Sequence, residues 1–254
     1  VVVATQAGPP GNCAGVIVPV FSLRSEESCG AVDFNVLKHF SQWAQQAGVK
    51  LIQLLPVNDT TATHTWKDSY PYAAVSVFAL HPLYLHLPAL AGDRHKKTLG
   101  KYEAKRKVLN ALDKVDYEAV LSLKWKIIKA LYPLLKDDTS SSTGYKSFVQ
   151  QNESWLRPYA CFCCLREWYA SADFYQWKEQ TYSNALAETL MQSASDEVLI
   201  HYFVQYHLHI QLKDAVDYAH RHKVVLKGDI AIGVFRNSAD VWENPSLYHV
   251  DMQA

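Results

Sequence analysis

The hydrophobic positions near the start of the chain fall into two short apolar runs separated by a stretch with helical spacing. Residues 15–21 and 49–57 are apolar enough to form buried strands. Between them Asp33 can cap a helix, apolar residues recur at helical spacing, and Gly48 stands where that helix would end. Because a strand, a helix and a strand in this order form a βαβ unit, the pattern predicts a parallel sheet.

The third predicted strand, residues 224–234, carries a carboxylate among apolar neighbours. Alternation puts Asp229 with two small residues on one face and Ile230, Ile232 and Val234 on the other. Such a strand suits a barrel whose outer face packs on helices and whose inner face leaves room for a ligand. A carboxylate in this setting must be paired, hydrogen-bonded or functional, so a buried structural Asp is the alternative interpretation.

The long interval between the second and third strands has mostly helical patterning. Helices are predicted at residues 102–114, 117–135, 155–178 and 201–223, with a polar loop at 137–144. The pattern therefore predicts an α/β fold into which a large helical subdomain is inserted. We expect four segments along the chain: a linker remnant at 1–14, the first strands and a loop at 15–100, the helical insertion at 101–200, and a helix, a strand and a second loop at 201–254.

Composition narrows the class of partner. Lys plus Arg equals Asp plus Glu at 25 each, so no basic field points to nucleic acid, and an uncharged substrate fits the balance. The longest apolar stretch, residues 73–91, is interrupted by His and Pro, which argues against a membrane span. Five Cys without a spaced framework favour a reducing compartment, and we expect a cytoplasmic protein.

Neither a metal nor another cofactor is predicted. Of Cys161, Cys163 and Cys164 only the first and last share a helix face, whereas tetrahedral zinc requires four ligands. The histidines at 201, 207 and 209 form no pair at i, i+4 spacing, and neither glycine-rich stretch carries the lysine of a phosphate-binding loop. Buried structural thiols and packed histidines are therefore expected.

The polar loop directly after the second predicted strand is the first candidate site. Parallel strands of a barrel bring ligands to their carboxyl ends, where residues 58–72 begin. The loop offers side chains that can hydrogen-bond hydroxyl groups, and rings that can stack on a sugar: Asn58, Asp59, Asp68 and Ser69, and Trp66, Tyr70 and Tyr72. A solvated turn with surface polar residues is the alternative.

Two stretches carry a family resemblance: LLPVNDTTATHTWKDSYPYAAVSVFALHPLYL at 54–85 and VVLKGDIAIGVFRNSADVW at 224–242. They resemble the glucanotransferases of the amylomaltase and disproportionating-enzyme family (glycoside hydrolase family 77), and within it the disproportionating enzyme 2 branch. The resemblance implies the first three strands of a (β/α)8 TIM barrel with a large helical insertion. It also implies a 4-alpha-glucanotransferase that moves α-1,4-glucan segments between acceptors such as maltose, glycogen or a heteroglycan.

Carried over residue by residue, the resemblance implies a substrate-binding set. The DSYPY motif places Ser69 and Tyr72 against the sugar at the cleavage point, and Asp229 positions substrate without acting as nucleophile or acid. Asn58, Asp68, Asp240 and Trp242 complete the expected set, with Asp68 holding the loop. Relatives often carry an acidic residue and a proline where this chain has Phe235 and Ala231, so local substrate contacts are expected to differ.

Catalysis in this family is retaining, with a carboxylate nucleophile and a carboxylic acid about 5 Å apart. The resemblance places both on later strands, beyond Ala254. We therefore predict no catalytic residue within the chain, and interpret the chain as an inactive N-terminal part of a catalytic domain. A non-catalytic glucan-binding or scaffold protein derived from the same barrel is the alternative.

Overall fold

The computed structural model describes residues 14–31 and 33–249. The chain groups into two compact units. The sheet unit comprises Val1–Val57, Pro82–Ile128 and His207–Ile230, and the helical unit comprises Asn58–His81, Lys129–Tyr206 and Ala231–Ala254. The expected segments divide the chain along its sequence, whereas each unit combines three stretches that are distant in sequence. The predicted linker at 1–14 lies outside the described residues except for Ala14.

The sheet unit contains the three predicted strands, β1 (Gly15–Val18), β2 (Leu51–Leu54) and β3 (Val225–Lys227). They are parallel in the order β1-β2-β3, with Leu51 paired to Gly15 on one side and to Val225 on the other. The central strand buries Ile52 and Leu54. The prediction of a parallel three-stranded sheet is confirmed, although each strand is shorter than its apolar run.

The third strand ends earlier than predicted, and this changes the setting of Asp229. In the described residues β3 pairs with β2 alone, and the last pair is Gln53 with Lys227. Without a partner beyond that point, residues 228–234 are not a strand. The prediction that Asp229 lies within a strand is therefore wrong. The predicted outer face is also wrong, because Ile230 and Ile232 are 80% and 103% exposed.

Helices account for most of the remaining chain. Their bounds are α1 Val36–Gln46, α2 Leu87–Ala91, α3 Lys96–Gly100, α4 Glu103–Asn110, α5 Tyr117–Ser141, α6 Thr143–Tyr169, α7 Asn184–Ser193, α8 Ser195–Arg221 and α9 Ala239–Glu243. Five of them, α1, α4, α5, α6 and α8, correspond to predicted helices, with different ends. None of the described helices has the length and apolarity that a membrane span needs.

The predicted polar loop at 137–144 is wrong, because α5 and α6 are separated only by Ser142. The hydroxyls of Ser140, Ser141 and Ser142 donate to carbonyls three residues earlier, which satisfies them within helical backbone. Ser142 also caps α6 by accepting from the backbone N–H of Tyr145 at 3.2 Å. A serine-rich stretch is therefore a helix end and a helix start here.

Helix α7 was not predicted, although it has a local signal. The Ser183 hydroxyl accepts from the N–H of Leu186 at 3.1 Å, the pattern of an N-cap. Ala187 and Leu190, three residues apart, are buried.

Helix α6 ends before its predicted end, at Ala170 in left-handed backbone with φ 50°. Fourteen residues, 170–183, thus separate the end of α6 at Tyr169 from the start of α7 at Asn184.

Helix α6 lies at the centre of the apolar core of the helical unit. Its buried residues include the run from Tyr159 to Leu165, packed with Phe174, Trp177 and Trp242. The three cysteines of this run are free and buried, as expected for structural thiols. Burial raises the pKa of each thiol to about 12, so all three stay protonated and unreactive at neutral pH.

Candidate functional site

Asp59 is the second residue of the loop at 58–72. The sequence suggested that its carboxylate could bind hydroxyl groups of a ligand, but the residue is fully buried. Its Oδ1 accepts from the N–H and hydroxyl of Thr61 at 3.0 and 2.7 Å, and its Oδ2 accepts from the Tyr159 hydroxyl at 2.7 Å. Burial acts to raise the pKa of Asp59, but His81, Arg166 and these hydroxyl donors hold the pKa below its usual value. The Asp59 carboxylate is therefore a structural anchor and cannot reach a ligand.

A second anchor comes from Arg166 on α6, which is 1% exposed. Its Nη1 donates to the carbonyl oxygen of Thr61 at 2.6 Å, and its Nε and Nη2 donate to Glu167 Oε1 at 3.3 and 3.1 Å. Glu167 Oε1 also lies 3.0 Å from His64 Nε2. Helix α6 thus holds the loop at Thr61 and at His64.

Asp68 folds the loop back on itself. Its carboxylate accepts from the N–H and hydroxyl of Thr63 and from the N–H of His64, at 2.7 to 3.0 Å. The hydroxyl of Thr60 donates to the Asp68 carbonyl at 2.5 Å. Asp68 is 4% exposed. It therefore holds the loop, as the sequence analysis expected, while any contact with substrate stays a prediction.

The other residues of the DSYPY motif are open to solvent. Ser69 is exposed, Tyr70 and Tyr72 are 60% and 37% exposed, and their ring centroids lie 5.7 Å apart. Trp66 is 67% exposed. The loop therefore presents the Ser69 hydroxyl and three aromatic rings, two of them with their own hydroxyl, on a backbone that buried carboxylates fix. Rings with polar edges on a fixed backbone can stack on sugar faces and bind their hydroxyls.

Asn58 and Asp240 both hold the short segment that follows the loop. Asn58 Nδ2 donates to the carbonyls of Ser76 and Val77 at 3.3 and 2.8 Å. Asp240 Oδ2 accepts from the N–H of Val77 at 2.8 Å, and burial raises the pKa of Asp240. Gln205 of α8 fixes the end of the same segment, accepting from the N–H of Leu80 and donating to its carbonyl.

Trp242 is a core residue, which contradicts the expectation that it contacts substrate. It is fully buried, and its indole N–H donates to the carbonyl of Glu179 at 2.8 Å. Its ring packs against those of Phe162, Trp177 and Tyr182. The side chain offers no surface to a ligand, because the core of the helical unit encloses it.

Asp229 belongs to the sheet unit, two residues after β3, and is half-buried. Its Oδ1 accepts from the N–H of Ile230 at 3.0 Å. The remaining candidates, Asn58, Asp68, Ser69, Tyr72, Asp240 and Trp242, all belong to the helical unit. Of the candidates, the structure thus leaves Ser69 and Tyr72 exposed on one loop and gives Asn58, Asp68 and Asp240 supporting hydrogen bonds.

The histidines of α8 have surroundings that disfavour charge. Burial, with a further contribution from Arg166, lowers the pKa of His201 to about 3, and burial lowers the pKa of His207 to about 4. No group of three or more potential metal ligands occurs in residues 14–31 and 33–249.

Sequence reasoning missed the roles of Tyr159 and Arg166. Both lie about a hundred positions along the chain from the loop residues they bind. One signal was available: an arginine directly follows the apolar run ACFCCL on a helix that is otherwise buried there. A charge in that position needs a buried partner.

The family is established by comparison with known proteins. The 4-alpha-glucanotransferase family of glycoside hydrolases (family 77) matches residues 18–254, and the chain belongs to this family. The chain is 43% identical over 246 residues to the 4-alpha-glucanotransferase DPE2 of Oryza sativa subsp. japonica, a match that covers 95% of this chain and 26% of the rice protein. A 4-alpha-glucanotransferase of Chlamydia pneumoniae is 30% identical over 229 residues, covering 90% of this chain and 43% of that protein.

Two solved structures of amylomaltases have a fold similar to that of this chain. Amylomaltase from Streptococcus agalactiae, in complex with acarbose, superposes with a TM-score of 0.79 at 21% identity, covering 95% of this chain and 48% of that one. Amylomaltase from Corynebacterium glutamicum gives 0.71 at 20% identity, with 94% and 32% covered. The helix-rich α/β chain with its parallel sheet thus has the fold of part of an amylomaltase, and it spans less than half of each of these relatives.

Proposed function

We propose that the protein is a 4-alpha-glucanotransferase that transfers α-1,4-glucan segments to a saccharide acceptor by a retaining mechanism. The observation that carries this proposal is the family match over residues 18–254 together with a DSYPY loop whose serine and tyrosines are exposed. A relative of the same fold is described in complex with acarbose, which supports a malto-oligosaccharide as ligand. An equal number of acidic and basic residues suits such an uncharged substrate.

We assign the loop of residues 58–72 to glucan binding. Ser69 donates or accepts a hydrogen bond at the sugar bound where the chain is cleaved, and Tyr72 contacts the same sugar. Asp229 positions the substrate, while Asn58, Asp68 and Asp240 act indirectly through the backbone that they hold. Trp66 and Tyr70 supply further ring faces for the glucan.

The chemical step needs two carboxylates about 5 Å apart, one as nucleophile and one as acid. The acidic residues nearest the loop in the helical unit do not fit either role. Asp59 and Asp68 are buried acceptors, and Glu167, whose pKa is lowered to about 2 by His64 and Arg166 against the effect of burial, is ionised and paired. We therefore propose that the catalytic carboxylates lie outside residues 1–254 and that this chain alone transfers no glucan. We also propose that the protein acts in the cytoplasm, because its five Cys have no spaced framework of the kind found in secreted domains.

The test is glucose release by the full-length protein incubated with maltose and glycogen. We expect release by the wild type and a fall in kcat/KM of about tenfold to a hundredfold in Ser69→Ala and Tyr72→Phe, since each removes a polar contact at the reacting sugar. Ser147→Ala, an exposed serine on α6, is the matched control and should behave as wild type. Absence of transfer by the wild type would reject the proposal, and unchanged rates in both loop variants would reject the assigned residues.

A further inference from the structure

The exposed residues of the glucan-binding loop are held in place by a helix that carries none of them. We infer that Arg166 of α6 is a positioning residue for glucan transfer, acting through Thr61 and His64 on Ser69. The inference rests on the proposed function, because it concerns how the same loop is aligned. No substrate contact is assigned to Arg166, which is 1% exposed.

The guanidinium and its neighbour bind the loop at two points three residues apart. Arg166 Nη1 donates to the Thr61 carbonyl at 2.6 Å, and Arg166 binds Glu167, whose Oε1 lies 3.0 Å from His64 Nε2. Consecutive residues of one helix thus hold both ends of the short segment from Thr61 to His64. A guanidinium presents its donors in a rigid planar fork, so Nη1 can bind Thr61 while Nε and Nη2 bind Glu167, whereas the donors of an ammonium group all lie on one nitrogen.

The same segment is bound directly to the residue before Ser69. The backbone N–H groups of Thr63 and His64 donate to the Asp68 carboxylate at 2.7 to 3.0 Å. His64 has a φ of 56°, a conformation that residues other than glycine rarely adopt without support from their surroundings. Releasing Thr61 or His64 from α6 would therefore displace Asp68, and with it Ser69 and the tyrosines that follow.

Charged groups around Arg166 add to this attachment. The carboxylates of Asp59, which is fully buried, and of Glu167 both favour the charged form of Arg166. Tyr159, which lies on α6 like Arg166, donates a hydrogen bond to Asp59. Removing the guanidinium takes the Arg166 donor from the Thr61 carbonyl and takes one positive charge away from the surroundings of both carboxylates. Loop placement, rather than the core of α6, should be the first property to change, because the hydrogen bonds of Arg166 among the described residues go to Thr61 of the loop and to Glu167.

The experiment measures glucan transfer and hydrogen exchange in the full-length protein for Arg166→Met, Arg166→Lys and Glu167→Gln. In Arg166→Met we expect kcat/KM to fall at least tenfold, with exchange in residues 59–69 at least tenfold faster. Arg166→Lys should not restore wild-type values. Glu167→Gln, at a half-exposed position, should fold normally and show a smaller loss, about twofold to fivefold, because it weakens the attachment of His64 and keeps the bond from Arg166 to Thr61.

Two controls separate positioning from general destabilisation. Lys146→Met changes an exposed charge on the same helix and should alter neither readout. Phe148→Leu alters a core residue of α6 that is 6% exposed, and should lower the melting temperature without accelerating exchange at 59–69. If Phe148→Leu and Arg166→Met have the same melting temperature and lose kcat/KM to the same extent, the inference is overturned.

The outcomes distinguish this inference from the proposed function. A wild-type protein that transfers no glucan rejects the proposed function, while exchange at 59–69 still reports whether Arg166 holds the loop. An active wild type with unchanged kcat/KM and exchange in Glu167→Gln and Arg166→Met rejects the inference alone. If Arg166→Met fails to fold, Arg166→Lys decides, since wild-type kcat/KM and wild-type exchange in that variant would overturn the positioning role.

Discussion

The segments that follow β2 and β3 are both rich in residues of family motifs, yet they are organised differently. The first, residues 58–72, is fixed by the buried carboxylates of Asp59 and Asp68 and exposes its rings. The second, residues 228–242, exposes Ile230 and Ile232 and buries its only indole, Trp242. Polar motif residues of the first segment thus support the backbone, and burial separates them from the exposed residues that we propose for glucan binding.

The largest effect is expected at the buried end of the second segment. Trp242→Ala should lower the free energy of unfolding by about 4 kcal/mol, because it removes a ring that packs against three others and leaves a cavity. Urea denaturation followed by circular dichroism measures the change. A loss below about 1 kcal/mol would mean that Trp242 is not a core residue and could return it to the substrate set.

The next effect concerns the first segment. Asp59→Asn should cost about 3 kcal/mol, because it removes the charge that faces Arg166 and places an amide among donor groups. The same denaturation experiment on Asp137→Ala, at an exposed position of α5, should show a change within about 0.5 kcal/mol. Equal behaviour of the two variants would contradict the anchoring role of Asp59.

Acid should weaken the folded state through His201 of α8, which belongs to the same unit as the first segment. The pKa of His201 is lowered from 6.5 to about 3, so below pH 6.5 the unfolded chain binds a proton that the folded chain does not. Stability should therefore fall as pH falls from 6.5 towards 3, by about 1.4 kcal/mol per pH unit for this group, or about 2 kcal/mol at pH 5.

The comparison with His201→Gln isolates this effect from that of His207, whose pKa is also lowered. The urea midpoint of the variant should decline less steeply between pH 6.5 and 5 than that of the wild type. Parallel curves would show that His201 is not held neutral in the folded protein.

The smallest effect is expected at the exposed start of the second segment. Ile232→Thr should change the free energy of unfolding by less than about 0.5 kcal/mol, because a fully exposed side chain has no burial to lose. Thermal denaturation of the full-length protein measures it. A loss above about 1 kcal/mol would show that Ile232 is buried in the full-length protein. The second segment would then no longer differ from the first by exposing aliphatic side chains.

The sequence predicted those features that depend on local pattern. Apolar runs indicated the three parallel strands, and the DSYPY motif indicated the loop and the family. The length of β3 was not predictable, because it depends on how far β2 extends beside it. The roles of Asp59, Tyr159 and Arg166 depend on contacts across about a hundred residues, which periodicity does not record. The loop predicted at residues 137–144 was wrong because serine is common both in loops and at helix starts. Ser142 here caps a helix, and the local sequence does not distinguish the two cases.

The most direct test of the central claim, that residues 58–72 form a glucan-binding loop on a fixed backbone, is hydrogen exchange of the full-length protein with and without maltotriose. The account predicts slow exchange at the N–H groups of Thr61, Thr63 and His64 in the free protein, and added protection by maltotriose in the peptide that contains Ser69 and Tyr72. Fast exchange at those three amides without ligand, or protection by maltotriose elsewhere and none in this peptide, would contradict it.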